Sequence, residues 1–281
     1  MYEDSLIFLP VERWRDLMNE FKNLFPRGIS GYTTLDIELC ILENGVEYGF
    51  KVYCPYGDLS NGFVGINKKA EFNEVIIQSP KDDTSELIKA LKETKIINWK
   101  QSLEIPFAPQ HIKNVLLAIQ SEKNFEFTSI TSTETFYLEN NAPIYDITLP
   151  PGFSFKLLPI EYVKLVDDVW PHRYPSSVWY FELLIKAKLG YGLFNNNELI
   201  AWCFVKEMGA LGHLYTLEQH RRKGYGEMVL KLMSNRLREE GKQVVAFCVV
   251  GNQSARNMYV KLGFSLTETV HWCNIKPISN D

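Results

Sequence analysis

The sequence predicts a mixed α/β protein, an α+β arrangement on a sheet with both parallel and antiparallel pairs. Three observations carry that expectation. Strand-like apolar runs recur along the whole chain, at residues 199–205 and 244–250 among others. Helical patterns separate some of these runs, while a tight Asn195-Asn-Asn-Glu198 turn joins two others directly. Hairpins interleaved with strand–helix–strand units give a mixed sheet, not a purely parallel one. The 281 residues, 46% of them hydrophobic, suffice to bury one large core or two ordinary ones.

Pro10 suits the first turn of a helix over residues 10–25, in which Trp14, Leu17, Met18, Phe21 and Phe25 share a face. Pro26 and Gly28 end it. Strands are expected at 36–42, 46–54 and 74–79, the first two joined by an Asn44-Gly45 hairpin turn. Helices follow at 84–95 and 109–121, then a strand at 127–138. The Asn140-Asn-Ala-Pro143 and Pro150-Pro-Gly152 segments read as a linker, which divides the chain into domains 1–145 and 146–281. In the second domain a strand at 153–157 and helices at 161–170 and 177–188 come first. Hairpin strands at 190–194 and 199–205, a strand at 211–217 and a helix at 226–240 follow. A strand at 244–250, a helix at 253–262 and a last strand from Phe264 complete the order. Both domains share this mixed pattern, which leaves room for a distant duplication.

Bulk properties exclude several classes. A net charge of −4 argues against general nucleic-acid binding. The longest apolar runs, 199–205 and 244–250, fall far short of the roughly 20 residues that span a membrane. The acidic start Met1-Tyr-Glu-Asp-Ser resembles neither a secretory signal nor an arginine-rich transit peptide. Cys40, Cys54, Cys203, Cys248 and Cys273 contain no C-x-x-C pair and read as buried thiols, hence a reducing compartment such as the cytoplasm. The histidines show no metal-ligand spacing, so no metal is expected.

Two motifs carry chemistry. Gln219-His-Arg-Arg-Lys-Gly-Tyr-Gly226 follows the 211–217 strand and opens a helix whose Val229, Leu232, Met233 and Leu237 lie near one face. A basic, glycine-containing turn at a helix start gathers free backbone N–H groups where a phosphate or pyrophosphate can sit. Gly224 and Gly226 allow close approach of the anion, and Arg221, Arg222 and Lys223 add positive charge. The plainer alternative is a solvated basic run. The second motif is Asn252-Gln-Ser-Ala-Arg-Asn-Met-Tyr-Val-Lys-Leu-Gly-Phe264, with Ala255, Met258, Tyr259 and Leu262 on one helix face. Alone, Tyr259 reads equally as core packing and Asn252 as a helix cap.

Residues 211–264 resemble the GNAT superfamily of N-acyltransferases. Arg221-Arg-Lys-Gly224-Tyr-Gly226 matches its R/Q-x-x-G-x-G/A turn, and Asn252, Tyr259, Gly263 and Phe264 match its downstream element. Glu71-Phe-Asn-Glu-Val75, Ile97-Asn-Trp-Lys-Gln101, Tyr215-Thr-Leu217 and Trp272-Cys-Asn274 are similar, in this order, to the glycine N-acyltransferase family.

The resemblance implies a C-terminal GNAT-type domain preceded by an α/β domain that could be a degenerate copy of it. It implies acyl-CoA or acetyl-CoA as cosubstrate, in a cleft where the 211–217 and 244–250 strands splay apart. Pyrophosphate would take the amides of Arg222, Lys223, Gly224, Tyr225 and Gly226, and pantetheine would run along Tyr215, Thr216 and Leu217. An N–H near Leu217 would polarise the thioester carbonyl, and Asn252 would orient pantetheine or fix the cleft. Tyr259 matches the general acid that protonates the leaving thiolate. The acceptor would be the amine of glycine or another small amino acid. The family also allows a mitochondrial location.

One departure stands out. Ala210 occupies the position where many relatives carry a glutamate base. Glu207, His213, His172, a water chain or an amine that arrives partly neutral could substitute. Two other functions therefore stay open: a peptide or protein N-acetyltransferase, and a non-catalytic acyl-CoA-binding module. The sequence does not fix an oligomeric state.

Overall fold

The computed structural model describes residues 4–69 and 72–278. Glu71 of the resemblance and the Met1-Tyr2-Glu3 start lie outside the described residues. In chain order the elements are β1 (Leu6–Leu9), α1 (Trp14–Lys22), α2 (Ile29–Glu43), β2 (Lys51–Pro55), β3 (Phe63–Lys69), β4 (Phe72–Gln78) and α3 (Ser85–Glu93). Next come β5 (Leu103–Pro109), α4 (Gln110–Lys123), β6 (Phe125–Leu138), β7 (Phe153–Leu157), α5 (Val163–Asp168) and α6 (Val178–Lys186). The chain ends with β8 (Gly190–Asn195), β9 (Glu198–Val205), β10 (Ala210–Thr216), α7 (Tyr225–Glu239), β11 (Val244–Val249), α8 (Gln253–Lys261) and β12 (Ser265–Pro277).

All strands join one mixed sheet in the order β1-β2-β3-β4-β5-β12-β6-β11-β10-β9-β8-β7. Read from either end, each strand of the first half meets its counterpart six strands later in the chain, β1 with β7 through β6 with β12. The helices repeat in the same way, α1–α4 with α5–α8. The chain is thus two topological copies facing each other across the β6–β12 pair. Each copy's last strand sits inside the other's sheet, with β12 against β5 and β6 against β11. Among the described residues only two neighbouring pairs are parallel, β4–β5 and β10–β11, and both are brief.

The clearest departure from the sequence reading is α2, where a strand at 36–42 and a hairpin at Asn44-Gly45 were expected. This helix is buried almost all round, including Ile29, Thr33, Leu35, Ile37, Glu38, Leu39 and Ile41. It lies between the two copies: Ile37 and Ile41 enter the core of the second, and Thr33 Oγ1 donates to the Met208 carbonyl at 2.9 Å. A helix covered on every side loses its one-faced periodicity. Asn44 and Gly45 end it, Gly45 with φ +72° and its N–H on the Leu42 carbonyl. Strand β2 therefore begins only at Lys51. Strands β1, β3 and β5 were not expected.

Candidate active site

The parallel pairing of β10 and β11 stops after Leu211↔Ala246. Beyond it, the β9 register skips His213 and Leu214 in a bulge, and His213 takes φ +47°. A bulge bends and twists its strand, so β10 leaves β11 and a gap opens. The cleft there has a volume of about 560 Å³. Its walls are β10 from Ala210 to Tyr215, the end of β11, and Asn252, Met258 and Tyr259 at α8, with Trp170–His172 of the α5–α6 loop opposite.

Strand β10 hands over to α7 through the basic turn. Arg222 (φ +63°) and Gly224 (φ +80°) both adopt the left-handed region. The first helical bond is Met228 N–H to the Gly224 carbonyl, which leaves the amides of Tyr225, Gly226 and Glu227 as unpaired first-turn donors. A Cβ on Gly224 would meet nothing within 4 Å, and one on Gly226 only Thr216 Oγ1 at 3.5 Å. Arg221 lies over the Tyr215 ring at 5.2 Å and donates to the Thr216 carbonyl. Arg222 and Lys223 are exposed and form no ion pair with a described residue. The turn is a cationic cradle of free N–H groups.

Tyr259 faces the cleft from α8, its ring packed on Phe136 at 5.2 Å and Phe264 at 5.5 Å. Burial, with Cys203 and Cys248 nearby, pushes its phenol well above the ordinary value, so it holds its proton. Asn252 caps α8, its side chain accepting from the Ala255 amide at 3.2 Å. The Leu217 N–H donates to the Ile200 carbonyl at 3.0 Å, so it is not free to polarise a thioester as the resemblance implied. The stretch without a β9 partner is His213 and Leu214.

A second recess of about 310 Å³ adjoins the cleft and shares Trp170, His172, Lys206, Met208 and Trp272 with it. Both copies build it. Lys69, Phe72, Glu74 and Glu104 come from the first, and Tyr174, Tyr180, Lys206 and Glu207 from the second. Lys69 bridges Glu74, at 2.6 Å, and Glu207, and Tyr180 donates its hydroxyl to Glu207. Burial opposes charge on Glu207, but Lys69 and Lys206 overcome it and pull its pKa down. Burial pushes Glu104 up, and Lys69 only partly offsets this.

Glu207 is therefore a buried carboxylate locked in an ion cluster, not a solvated hairpin residue. His213 is half-buried among aromatic rings, and desolvation there lowers its pKa to about 4. Its Nε2 lies 2.9 Å from the Val166 carbonyl, so that nitrogen carries the proton. His172 lines both cavities, its pKa lowered by burial and by Lys206. Ala210, 1% exposed, contributes no base. Sequence reasoning missed Lys69, Glu74, Glu104, Tyr180 and Lys206. A faint signal existed in a charged residue beside an apolar strand run, as in Glu74-Val-Ile-Ile77. Among the described residues no group of His, Cys, Asp and Glu is placed to hold a metal, and no helix is long and apolar enough to cross a membrane.

Comparison with known proteins bears on the fold. The model of the family described as FR47-like protein matches residues 190–273. No curated protein sequence matches the chain. An X-ray structure of a Drosophila protein superposes with a TM-score of 0.80 at 21% identity, over 99% of this chain and 100% of that one. The tandem GNAT protein from the clavulanic acid biosynthesis pathway superposes with a TM-score of 0.55 at 13% identity, over 98% of this chain and 99% of that one. A GNAT-family acetyltransferase from Colwellia psychrerythraea gives 0.51 at 12% identity, over 96% and 99%. The fold is that of the GNAT acetyltransferases, in a two-domain arrangement.

Proposed function

We propose that this chain is an N-acyltransferase that moves an acyl group from acyl-CoA to the amine of glycine or another free amino acid. The observation that carries the reading is the splayed β10–β11 cleft, with the cradle of free amides beyond one end and Tyr259 in its wall. Acyl-CoA would lay its pyrophosphate on the amides of Arg222–Gly226, with Arg222 and Lys223 facing the charge, and its pantetheine along Tyr215 and Thr216. Asn252 would fix the cleft by holding the start of α8.

The amine nitrogen attacks the thioester carbon, the C–S bond breaks, and the Tyr259 hydroxyl gives its proton to the departing thiolate. Burial keeps the phenol protonated but also makes it a weaker acid, so the transfer requires the departing sulfur to be held in a hydrogen bond with the Tyr259 hydroxyl. The amine sheds its surplus proton to water. His172, neutral near pH 7 and shared by both cavities, is placed to relay it. The recess taken as the acceptor side holds about 310 Å³, which suits a small molecule better than a peptide. In the same reading the chain divides near residue 145, and the first domain walls the acceptor recess.

The test is CoA release from acetyl-CoA and longer acyl-CoAs with a panel of amino acids and short peptides. Turnover with free amino acids and not with peptides supports the proposal. Binding of acetyl-CoA without release under any condition would reduce the chain to a binding module.

A further inference from the structure

We infer that the recess beside the cleft takes an α-amino acid whose side chain ends in a cation, of the arginine or lysine kind. Its carboxylate would meet Lys206 and its side-chain cation Glu104. The inference rests on the acyltransferase reading above and adds the acceptor's chemistry.

Five charged side chains line the recess. Three of them, Lys69, Glu74 and Glu207, satisfy one another. Glu104 and Lys206 do not: neither side chain forms an ion pair or hydrogen bond with a described residue. The Lys206 ammonium lies 5.7 Å from the centres of the Trp170 and Tyr180 rings and feels Glu207 and Glu104 through space, beyond ion-pair distance. Its stem crosses Gly212, where an added Cβ would come within 2.6 Å of Cδ. The missing side chain at 212 thus lets Lys206 lie where it does, lining cleft and recess together.

A free amino acid carries its amine and carboxylate on one carbon. With the carboxylate on Lys206, the amine stands at the junction of the two cavities, beside His172 and within reach of a thioester in the cleft. The side chain must then extend into the recess, where Phe72, Trp170, Tyr174 and Trp272 supply aromatic walls. Such walls suit methylenes and a stacked guanidinium or ammonium group. Glu104 lines the recess and not the cleft, and Lys69 and Lys206 act on its carboxylate only from beyond ion-pair distance. Three carboxylates face two ammonium groups, and a cationic side chain evens that count. The volume, about 310 Å³, is at the low end of the roughly 300–1,000 Å³ typical of ligand pockets. Glycine would leave most of it to water.

Calorimetry on the full chain saturated with CoA tests this with arginine, lysine, leucine and glycine as probes. Arginine or lysine is expected to bind at least ~10-fold tighter than leucine or glycine, as a charge-assisted hydrogen bond would give. Glu104→Gln should bring arginine and lysine down to leucine's affinity while leaving leucine and CoA binding unchanged. Equal affinity for arginine, lysine, leucine and glycine overturns the inference, as does indifference to Glu104→Gln. If that variant fails to fold, the wild-type ranking alone decides. Failure of CoA itself to bind would instead sink the acyltransferase reading. Good CoA binding without preference for arginine or lysine would sink only the acceptor assignment.

Discussion

Replacing Tyr259 with Phe separates chemistry from packing at the centre of the site. The ring is 7% exposed and wedged between Phe136 and Phe264, and Phe preserves both contacts. The hydroxyl has no hydrogen-bond partner among the described residues, so its removal should change stability by less than about 1 kcal/mol. Acetyl-CoA affinity should also hold, because the thiolate that needs the proton exists only as the thioester breaks. Turnover should fall ~10²–10⁴-fold, a barrier increase of about 3–5 kcal/mol. The assay pairs CoA release with calorimetry on the same preparation. The wild-type profile should also lack an alkaline limb below the ordinary tyrosine pKa, since burial raises that of Tyr259. Wild-type turnover by a folded Tyr259→Phe enzyme would refute the general-acid role and leave the residue as core packing.

Gly224→Glu should weaken acetyl-CoA binding at least ~10-fold, from a side chain forced to φ +80° and a carboxylate at the pyrophosphate position. Gly224→Ala carries only the backbone part, so equal calorimetric losses in the two variants would remove charge from the explanation. Limited proteolysis should cut within residues 139–152 and leave the two pieces together on gel filtration, because β6 and β12 pair across the junction. Separation of the pieces would contradict the strand exchange. Glu268, half-buried with its Oε1 shielded and without a hydrogen-bond partner among the described residues, has its pKa raised by burial to about 7. The folded chain then holds this proton while the unfolded chain has lost it. The stability present below pH ~4.5 therefore drains away as pH rises towards 7. Glu268→Gln should recover up to about 3 kcal/mol at pH 8 and almost nothing at pH 4. Melting curves that shift equally at both values would refute this.

The second copy was legible because its signals are local. Strand β7 is bounded by Gly152 and Pro159, the β8–β9 hairpin by its asparagines, and α7 by Gly224 and Gly241. The first copy hides its signals in tertiary context. Strand β5 contains Pro106 and Pro109, which argue against a strand. It survives because its β12 register runs from Ala108 to Ile105 through a shift, so Pro106 need not donate. Helix α2 lacks an amphipathic face because both copies cover it. The two motifs beside the cleft could be read from sequence because the basic turn and the Asn252–Phe264 segment are each continuous. The recess could not: the Lys69–Glu207 contact spans 138 positions, and each residue alone looks solvated.

The two copies also differ where an anion would sit. In the second, the turn before α7 presents Arg222, Lys223 and unpaired amides. In the first, the equivalent turn before α3 carries Asp82 and Asp83. Asp83 accepts from the Ser85 amide at 3.0 Å, and Asp82 pairs with Arg27. The chain's own carboxylate thus fills the helix start that a phosphate would need, and two like charges would repel that phosphate. The first copy's parallel junction is pinned at a single position, Glu74↔Glu104. Those two residues line the recess that adjoins the second copy's cleft. One junction opens as a cleft beside a cationic turn, while its counterpart supplies carboxylates to the pocket next door. Because the two topological copies close into one sheet, both junctions lie in the same central region, and Glu74 and Glu104 of the first copy stand beside the second copy's cleft.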